Sequence, residues 1–305
     1  MDDGLVIARL VHFGAAMAAF GAAAFRVYAL DRDGDATPPH LTAYLHRRNI
    51  QLVRISASLT LVSALAIVPF VAVRMAGAAS AAFDPPTIAT VLSATEFGHV
   101  WCWHALFTVL LIVSAAFAPR RPALALIWAG LGLASLGWLG HAAGGSGWAG
   151  FGREVNQSVH LLAAGLWLGG LLPLGSLLRQ ARAGEEEYGI VARQVLPAFS
   201  RIGYVAVAAI AITGVTNTLI LAGSLDALTD TDYGRLLSLK ILLYLVMVAI
   251  ALRNRFRLMP QLEAGYASAG RGLYRSVLIE QALGLSILAA VSFLGTWPPP
   301  MMHHH

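Results

Sequence analysis

Eight apolar segments, each about 20 residues long, dominate this chain of 305 residues. A helix rises about 1.5 Å per residue, so a segment of this length crosses the hydrocarbon core of a bilayer. Hydrophobic residues make up 57% of the chain and charged residues only 12%, which excludes an ordinary soluble domain. We therefore predict an all-α, polytopic membrane helix bundle in the lipid bilayer, with eight transmembrane helices in a single domain over residues 1–305. The segments lie at about 5–29, 50–75, 96–118, 123–142, 156–178, 198–222, 235–252 and 273–296.

Arginine residues cluster in alternate loops, and this asymmetry predicts the orientation. Arg32, Arg47 and Arg48 follow the first segment, and Arg253 and Arg255 follow the seventh. Because basic loops stay in the cytoplasm, we expect both termini to be periplasmic and the protein to lie in a bacterial inner membrane. The basic charge thus reflects topology rather than nucleic-acid binding. Since the sequence has no Walker loop, we predict neither an enzyme nor an ATP-driven pump.

Five histidines in four different segments lie toward the predicted periplasmic ends of their helices. They are His12, His99, His104, His141 and His160. Burying imidazole in hydrocarbon is costly, and imidazole binds copper, zinc and haem iron, so we expect a metal site at this face. Histidines near helix ends also place their polar edges among lipid headgroups, which is the alternative for His141 and His99.

Other residue types add candidate ligands. Cys102 is the only cysteine and would favour a soft metal ion as a thiolate. The tail over residues 301–305 ends in His303, His304 and His305, which are also typical of a purification tag, so we exclude the tail from the predicted site.

Three polar or aromatic residues near these histidines are predicted to orient them. Glu96 lies one helical turn before His99, and Asn156 lies one turn before His160. Trp103 shares a helix face with Glu96 and His99.

Glu280 lies about two turns from the predicted cytoplasmic end of the eighth segment. A carboxylate at this depth either forms an inner station for an ion or proton, or pairs with Arg54 or Arg201. We favour the arginine pair slightly.

A short pattern in the first segment recurs in the fifth. Val11-His12 is followed by Gly21, nine residues after the histidine, and Val159-His160 is followed by Gly169 at the same distance. Chance is the alternative explanation, because small apolar residues recur in membrane helices. If the pattern is a true repeat, residues 1–150 and 151–297 form two four-helix halves related by a pseudo-twofold axis.

The second half also resembles a known family. The run His160-Leu-Leu-Ala-Ala-Gly-Leu-Trp167-Leu-Gly-Gly170 is similar to the signature of the CopD family of bacterial copper-resistance proteins. Further motifs agree, more loosely in the first half: Phe199-Ser-Arg201, Thr213-Gly214-x-x-Asn217, Tyr233-Gly234-Arg235-Leu-Leu-x-x-Lys240, Arg253-Asn254-Arg255, Arg9-x-x-His12 and Thr95-x-Phe97-Gly98. The resemblance implies an inner-membrane protein that moves copper inward after receiving it from a periplasmic CopC-like carrier, which we expect to be a separate protein.

Three functions therefore stay open. In copper transport or acquisition, the outer site would use His12, His99 and His160, with His104, His141 and Cys102 as further ligands. In a b-type haem redox protein, His12 and His160 would be the axial ligands. No histidine lies within a helix in the predicted inner half, which disfavours an electron chain across the membrane. A scaffold or sensor subunit that binds metal without transporting it is the third alternative.

Overall fold

A computed structural model describes residues 2–31, 38–139, 147–183, 186–222 and 226–297 of the protein. Within these ranges the chain is almost entirely helical and has no β-strand, which confirms the all-α prediction. Seven helices in this part of the chain are long and apolar enough to cross a membrane, and an eighth apolar helix, Pro122–Trp138, is shorter. The predicted count of eight full-length spans is therefore not exact. His141 and the tail over residues 301–305 lie outside the described residues.

The helices of the first half are α1 (Asp2–Phe25), α2 (Pro39–Ala76), α3 (Pro85–Ala94), α4 (Glu96–Phe117) and α5 (Pro122–Ser135). Those of the second half are α6 (Gly147–Ala164), α7 (Gly170–Arg182), α8 (Glu186–Ala222), α9 (Ala227–Asp230), α10 (Asp232–Arg253), α11 (Met259–Glu263) and α12 (Ala267–Leu294). Wider π-helical turns extend α1 over Arg26–Leu30, join α6 to α7 over Gly165–Gly169 and join α10 to α11 over Asn254–Leu258.

Several helices begin earlier than the apolar segments predict. The second helix starts at Pro39 and the sixth long helix starts at Glu186, each about ten residues before the predicted segment. Hydropathy marks only the most apolar part of a helix, and these extensions mix charged residues with buried core residues such as Leu41, Val191 and Val195. The helices therefore continue beyond the apolar region.

The outward faces of the long helices carry large apolar side chains. Ile55, Val62 and Leu65 of α2 are each more than 60% exposed, and Leu242 and Leu245 of α10 are more than half exposed. A water-soluble protein rarely exposes so much contiguous apolar surface. These faces fit the multi-pass membrane protein that composition predicts.

The two halves meet where α1 crosses the π turn between α6 and α7. Gly21 and Gly169 contact each other there through their backbones, and a Cβ atom on Gly169 would overlap the carbonyl oxygen of Met17. Such close approach requires glycine on both helices. One hydrophobic core lies around α1, α2, α4 and α5, and a second lies around α7, α8, α10 and α12.

Candidate metal centre

Two of the predicted ligands, His12 of α1 and His104 of α4, meet inside the first half. Their ring centroids are 4.9 Å apart, and each residue is only 1% exposed. Trp101 packs against both rings, with centroids 5.1 Å from His12 and 5.4 Å from His104. The Nε1–H of Trp101 donates to the carbonyl oxygen of Ala64 at 3.1 Å, which fixes this ring against α2. The pair is thus held in an apolar, closely packed pocket.

The hydrogen bonds of the His12 ring determine which nitrogen carries the proton. The Ser63 hydroxyl is directed at carbonyl oxygens of its own helix, including that of Leu59 at 2.7 Å. Its oxygen therefore accepts from the His12 Nδ1–H at 3.0 Å. The Nε2 atom of His12 is left with a lone pair.

His104 has the same tautomer for a simpler reason. Its Nδ1 lies 2.9 Å from the carbonyl oxygen of Gly132, and a carbonyl oxygen can only accept. Its Nδ1 also lies 3.2 Å from the Ser135 hydroxyl. The Nε2 atom of His104 thus also presents a lone pair.

Both Nε2 atoms are buried and have no hydrogen-bond partner among the described residues. A buried polar atom without a partner costs about 1–3 kcal/mol, so two of them at adjacent rings need an explanation. Metal-binding histidines usually donate their other ring N–H to an oxygen, as both rings do here. The two neighbouring rings thus each keep a buried Nε2 lone pair, and these two nitrogens could hold a metal ion.

The remaining candidates on α4 do not join this pair. Cys102 is exposed, Trp103 is 59% exposed, and Glu96 is exposed at the start of the helix. His99 is exposed as well, and its Nε2 binds the carbonyl oxygen of Ser93 at 2.8 Å, at the end of α3. Residues five apart on a helix point about 140° away from each other, so when His104 faces α1, His99 faces outward.

His160 lies in a separate polar cluster of the second half. Its Nδ1 contacts the Thr213 hydroxyl at 2.9 Å. Asn156 donates to the carbonyl of Thr213 at 3.2 Å and to the side-chain oxygen of Asn217 at 2.9 Å, and Asn217 donates to Gln157 at 2.8 Å. Asn156 and His160 therefore both contact Thr213, Asn156 at its backbone carbonyl and His160 at its hydroxyl, and neither contacts the His12–His104 pair.

The prediction that Glu280 pairs with Arg54 or Arg201 is wrong. Glu280 is 2% exposed. Its carboxylate accepts a hydrogen bond from Asn254 Nδ2 at 2.8 Å and another from the side chain of Trp167. The Arg54 side chain instead donates to the carbonyl oxygen of Ala115 at 2.7 Å, and Arg201 is exposed. The π turn at 254–258 brings Asn254 to the carboxylate, and sequence periodicity cannot indicate that turn.

A cavity of about 90 Å³ lies beside Glu280 and is walled by α7, α8, α10 and α12. In the first half a smaller void of about 10 Å³ adjoins His104 and Thr60. Among the described residues, no group of three or more His, Cys, Asp and Glu side chains is placed to hold a metal ion. The candidate centre in this part of the chain is therefore the two-histidine pair. Sequence reasoning missed Ser63 and the Gly132 carbonyl, because neither carries a metal-ligand signature.

The sequence is similar to known proteins over nearly the whole chain. Residues 1–151 match the copper resistance protein D-like N-terminal domain, and residues 193–294 match the copper resistance protein D domain. The chain is 30% identical to the inner membrane protein YebZ of Escherichia coli (strain K12), over 95% of this chain and 97% of YebZ. It is also 30% identical to copper resistance protein D of Pseudomonas syringae pv. tomato, over 99% of both chains.

A more distant relative is the copper transport protein CutJ of Bacillus subtilis (strain 168). It is 26% identical over 73% of this chain, which corresponds to 41% of CutJ. No solved structure matches the chain. The sequence matches and the apolar helices together show that this chain belongs to the copper resistance protein D family of multi-pass inner-membrane proteins, which handle copper at the membrane.

Proposed function

We propose that this protein acquires copper across the bacterial inner membrane, binding it between the Nε2 atoms of His12 and His104. The observation that carries the proposal is the pair of buried, unpartnered Nε2 lone pairs on adjacent rings. A separate periplasmic CopC-like carrier would deliver the ion by ligand exchange. A two-ligand site suits such exchange, because it leaves coordination positions open to the donor's ligands.

The chemistry of the pocket favours Cu(I) over divalent ions. Two neutral imidazoles bring no negative charge, and the described residues add no carboxylate to the pair. The cost of burying an ion rises with the square of its charge, so a monovalent ion costs about a quarter of what a divalent ion costs in the same pocket. Zinc also prefers four ligands, whereas the pair offers two.

A polar stripe on α2 supports inward movement from this pair. Its four buried residues are spaced by seven, four and three positions, which places them on one helix face: Asn49, Ser56, Thr60 and Ser63. Ser63 contacts His12, and Asn49 donates to the carbonyl of Ala22 at 3.0 Å, so both ends of the stripe contact α1. The stripe is roughly 21 Å long at the rise of an α-helix. Hydroxyl and amide oxygens along this interface offer weak ligands to an ion that leaves the histidines.

The haem alternative has less support. A bis-histidine haem would need His12 and His160 to face each other, yet the His12 ring packs on His104 and Trp101 while His160 contacts Thr213. The glycine contact between α1 and the π turn also brings the two helices too close for a porphyrin at their crossing.

The test is Cu(I) binding to the detergent-purified protein, with His303–His305 removed so that the tail contributes no ligand. We expect one equivalent of copper in the parent protein and a loss of tight binding in both His12→Ala and His104→Ala. His99→Ala is the matched control, because it removes an exposed imidazole from the same helix as His104. Copper binding that survives both substitutions would refute the assignment. A Soret band with stoichiometric iron would instead favour the haem function.

A further inference from the structure

The second half of the bundle contains an altered counterpart of the His12–His104 pair. The helices α4 and α10 are both 22 residues long and begin with the same cap. The Thr95 hydroxyl accepts from the backbone N–H of Gly98 at 2.9 Å, and the Thr231 hydroxyl accepts from that of Gly234, also at 2.9 Å. An acidic residue and an aromatic residue stand between threonine and glycine in both cases.

A second contact shows that the two helices share one register. The fourth residue after each capping threonine reaches back to the carbonyl oxygen six positions before it. His99 makes this contact with Ser93 at 2.8 Å, and Arg235 makes it with Thr229 at 3.0 Å. In this register the position of His104, nine residues after the cap, corresponds to Lys240.

The other member of the pair, His12, also has a counterpart in the second half. His12 and His160 are both buried, and the Nδ1 atom of each forms a hydrogen bond with a hydroxyl of the next long helix. These contacts are 3.0 Å to Ser63 and 2.9 Å to Thr213. The Thr213 hydroxyl is directed at the carbonyl of its own helix, as the Ser63 hydroxyl is, so His160 has the same tautomer as His12. The glycines nine residues after each histidine contact each other at the crossing of the two halves, as expected near a pseudo-twofold axis.

Lys240 therefore stands where the second imidazole would be. Lys240 is half-buried and interacts electrostatically with the His160 ring, as His104 does with the His12 ring. An ammonium group has three donors and no lone pair, so it cannot bind copper as the His104 imidazole can. The surrounding amides of Asn156, Gln157 and Asn217 are neutral and bonded to one another or to the backbone.

We propose that the His160–Lys240 cluster is a second copy of the copper site in which Lys240 is the specificity-determining residue that excludes copper. The protein then binds copper in one half only, and Lys240 supplies a tethered cation in place of the ion in the other half. This inference rests on the proposed copper site at His12 and His104, since the second cluster is interpreted through its likeness to that pair.

The test adds an imidazole to the second half and measures the number of Cu(I) ions per chain. The protein used lacks His303–His305. We expect one equivalent in the parent protein and two in Lys240→His. The added equivalent should disappear in the double variant Lys240→His with His160→Ala. Lys240→Leu is the matched control and should stay at one equivalent, because it removes the charge without adding a ligand.

A reciprocal swap removes the dependence on any single variant. The double variant His104→Lys with Lys240→His should still bind one equivalent, but binding should now require His160 rather than His12. One equivalent in Lys240→His, with the first-half copper retained as evidence of folding, would overturn the inference. A parent protein that loses its copper in His160→Ala would also overturn it. A parent protein that binds no copper would refute the proposed function itself.

Discussion

Ser63 provides the sharpest test of the histidine pair, because it contacts the metal ligand but would not contact the metal. Its oxygen accepts the Nδ1–H of His12 at 3.0 Å, and this bond holds the proton on Nδ1 and the lone pair on Nε2. In Ser63→Ala the N–H loses the Ser63 oxygen inside a residue that is 1% exposed, while the Thr60 carbonyl remains as an acceptor. Without the Ser63 contact the ring can rotate toward the Thr60 carbonyl. Such a rotation moves the Nε2 lone pair away from the site.

We expect Cu(I) affinity to fall roughly 10–100-fold, the usual effect of removing an oxygen that orients a histidine ligand. This corresponds to about 1.4–2.8 kcal/mol of binding free energy. The assay is anaerobic competition against a chromogenic Cu(I) chelator of known affinity.

The second half supplies the matched control. Thr213→Ala removes the same kind of bond from His160, at 2.9 Å, in a pocket of similar burial. Both variants should lose thermal stability to a similar extent, but only Ser63→Ala should lose copper affinity. An unchanged affinity in Ser63→Ala, or an equal loss in Thr213→Ala, would refute the reasoning.

Three further predictions concern other parts of the bundle. Gly169→Ala should destabilise the folded protein by about 1–3 kcal/mol, because its Cβ overlaps the backbone of α1, whereas Gly152→Ala, in open space, should leave the unfolding midpoint in detergent unchanged. Glu280→Gln should slow copper uptake into proteoliposomes while leaving Cu(I) binding intact, since the carboxylate lies at a separate cavity; wild-type uptake would make Glu280 a structural residue. His99 and Cys102 are exposed on α4, so His99→Ala and Cys102→Ser should each change Cu(I) affinity less than twofold. A tenfold loss in the same competition assay would show that copper binds at the surface of α4.

The helical spans could be predicted from sequence because crossing hydrocarbon is a local requirement. About 20 apolar residues in a row satisfy it wherever they occur. The same reasoning could not predict that the helix beginning at Pro122 is short or that α2 begins at Pro39, since those limits depend on turns and on extensions of mixed polarity. Hydropathy measures the free-energy cost of placing a residue in lipid, and it does not predict where a helix ends outside the lipid.

The candidate site was predicted less completely. Residue type alone put His12 among the main candidate ligands and His104 only among the further ones, because a buried imidazole in a membrane needs a reason. It grouped them with His99 and His160, since sequence places all of these toward one face of the membrane. The structure separates them: His99 points outward, and His160 lies in the other half.

What the sequence by itself determined is therefore the class of protein, the membrane spans and the kinds of ligand present. Only the tertiary structure decided that two of the imidazoles meet and which of their nitrogens are free. The rotation of α4 about its axis, set by its packing against α1, α2 and α5, chooses His104 over His99. Ser63, 51 residues from His12, and Gly132, 28 residues from His104, then fix the tautomers. Such contacts depend on how helices pack over long sequence separations, and no local pattern in the chain encodes them.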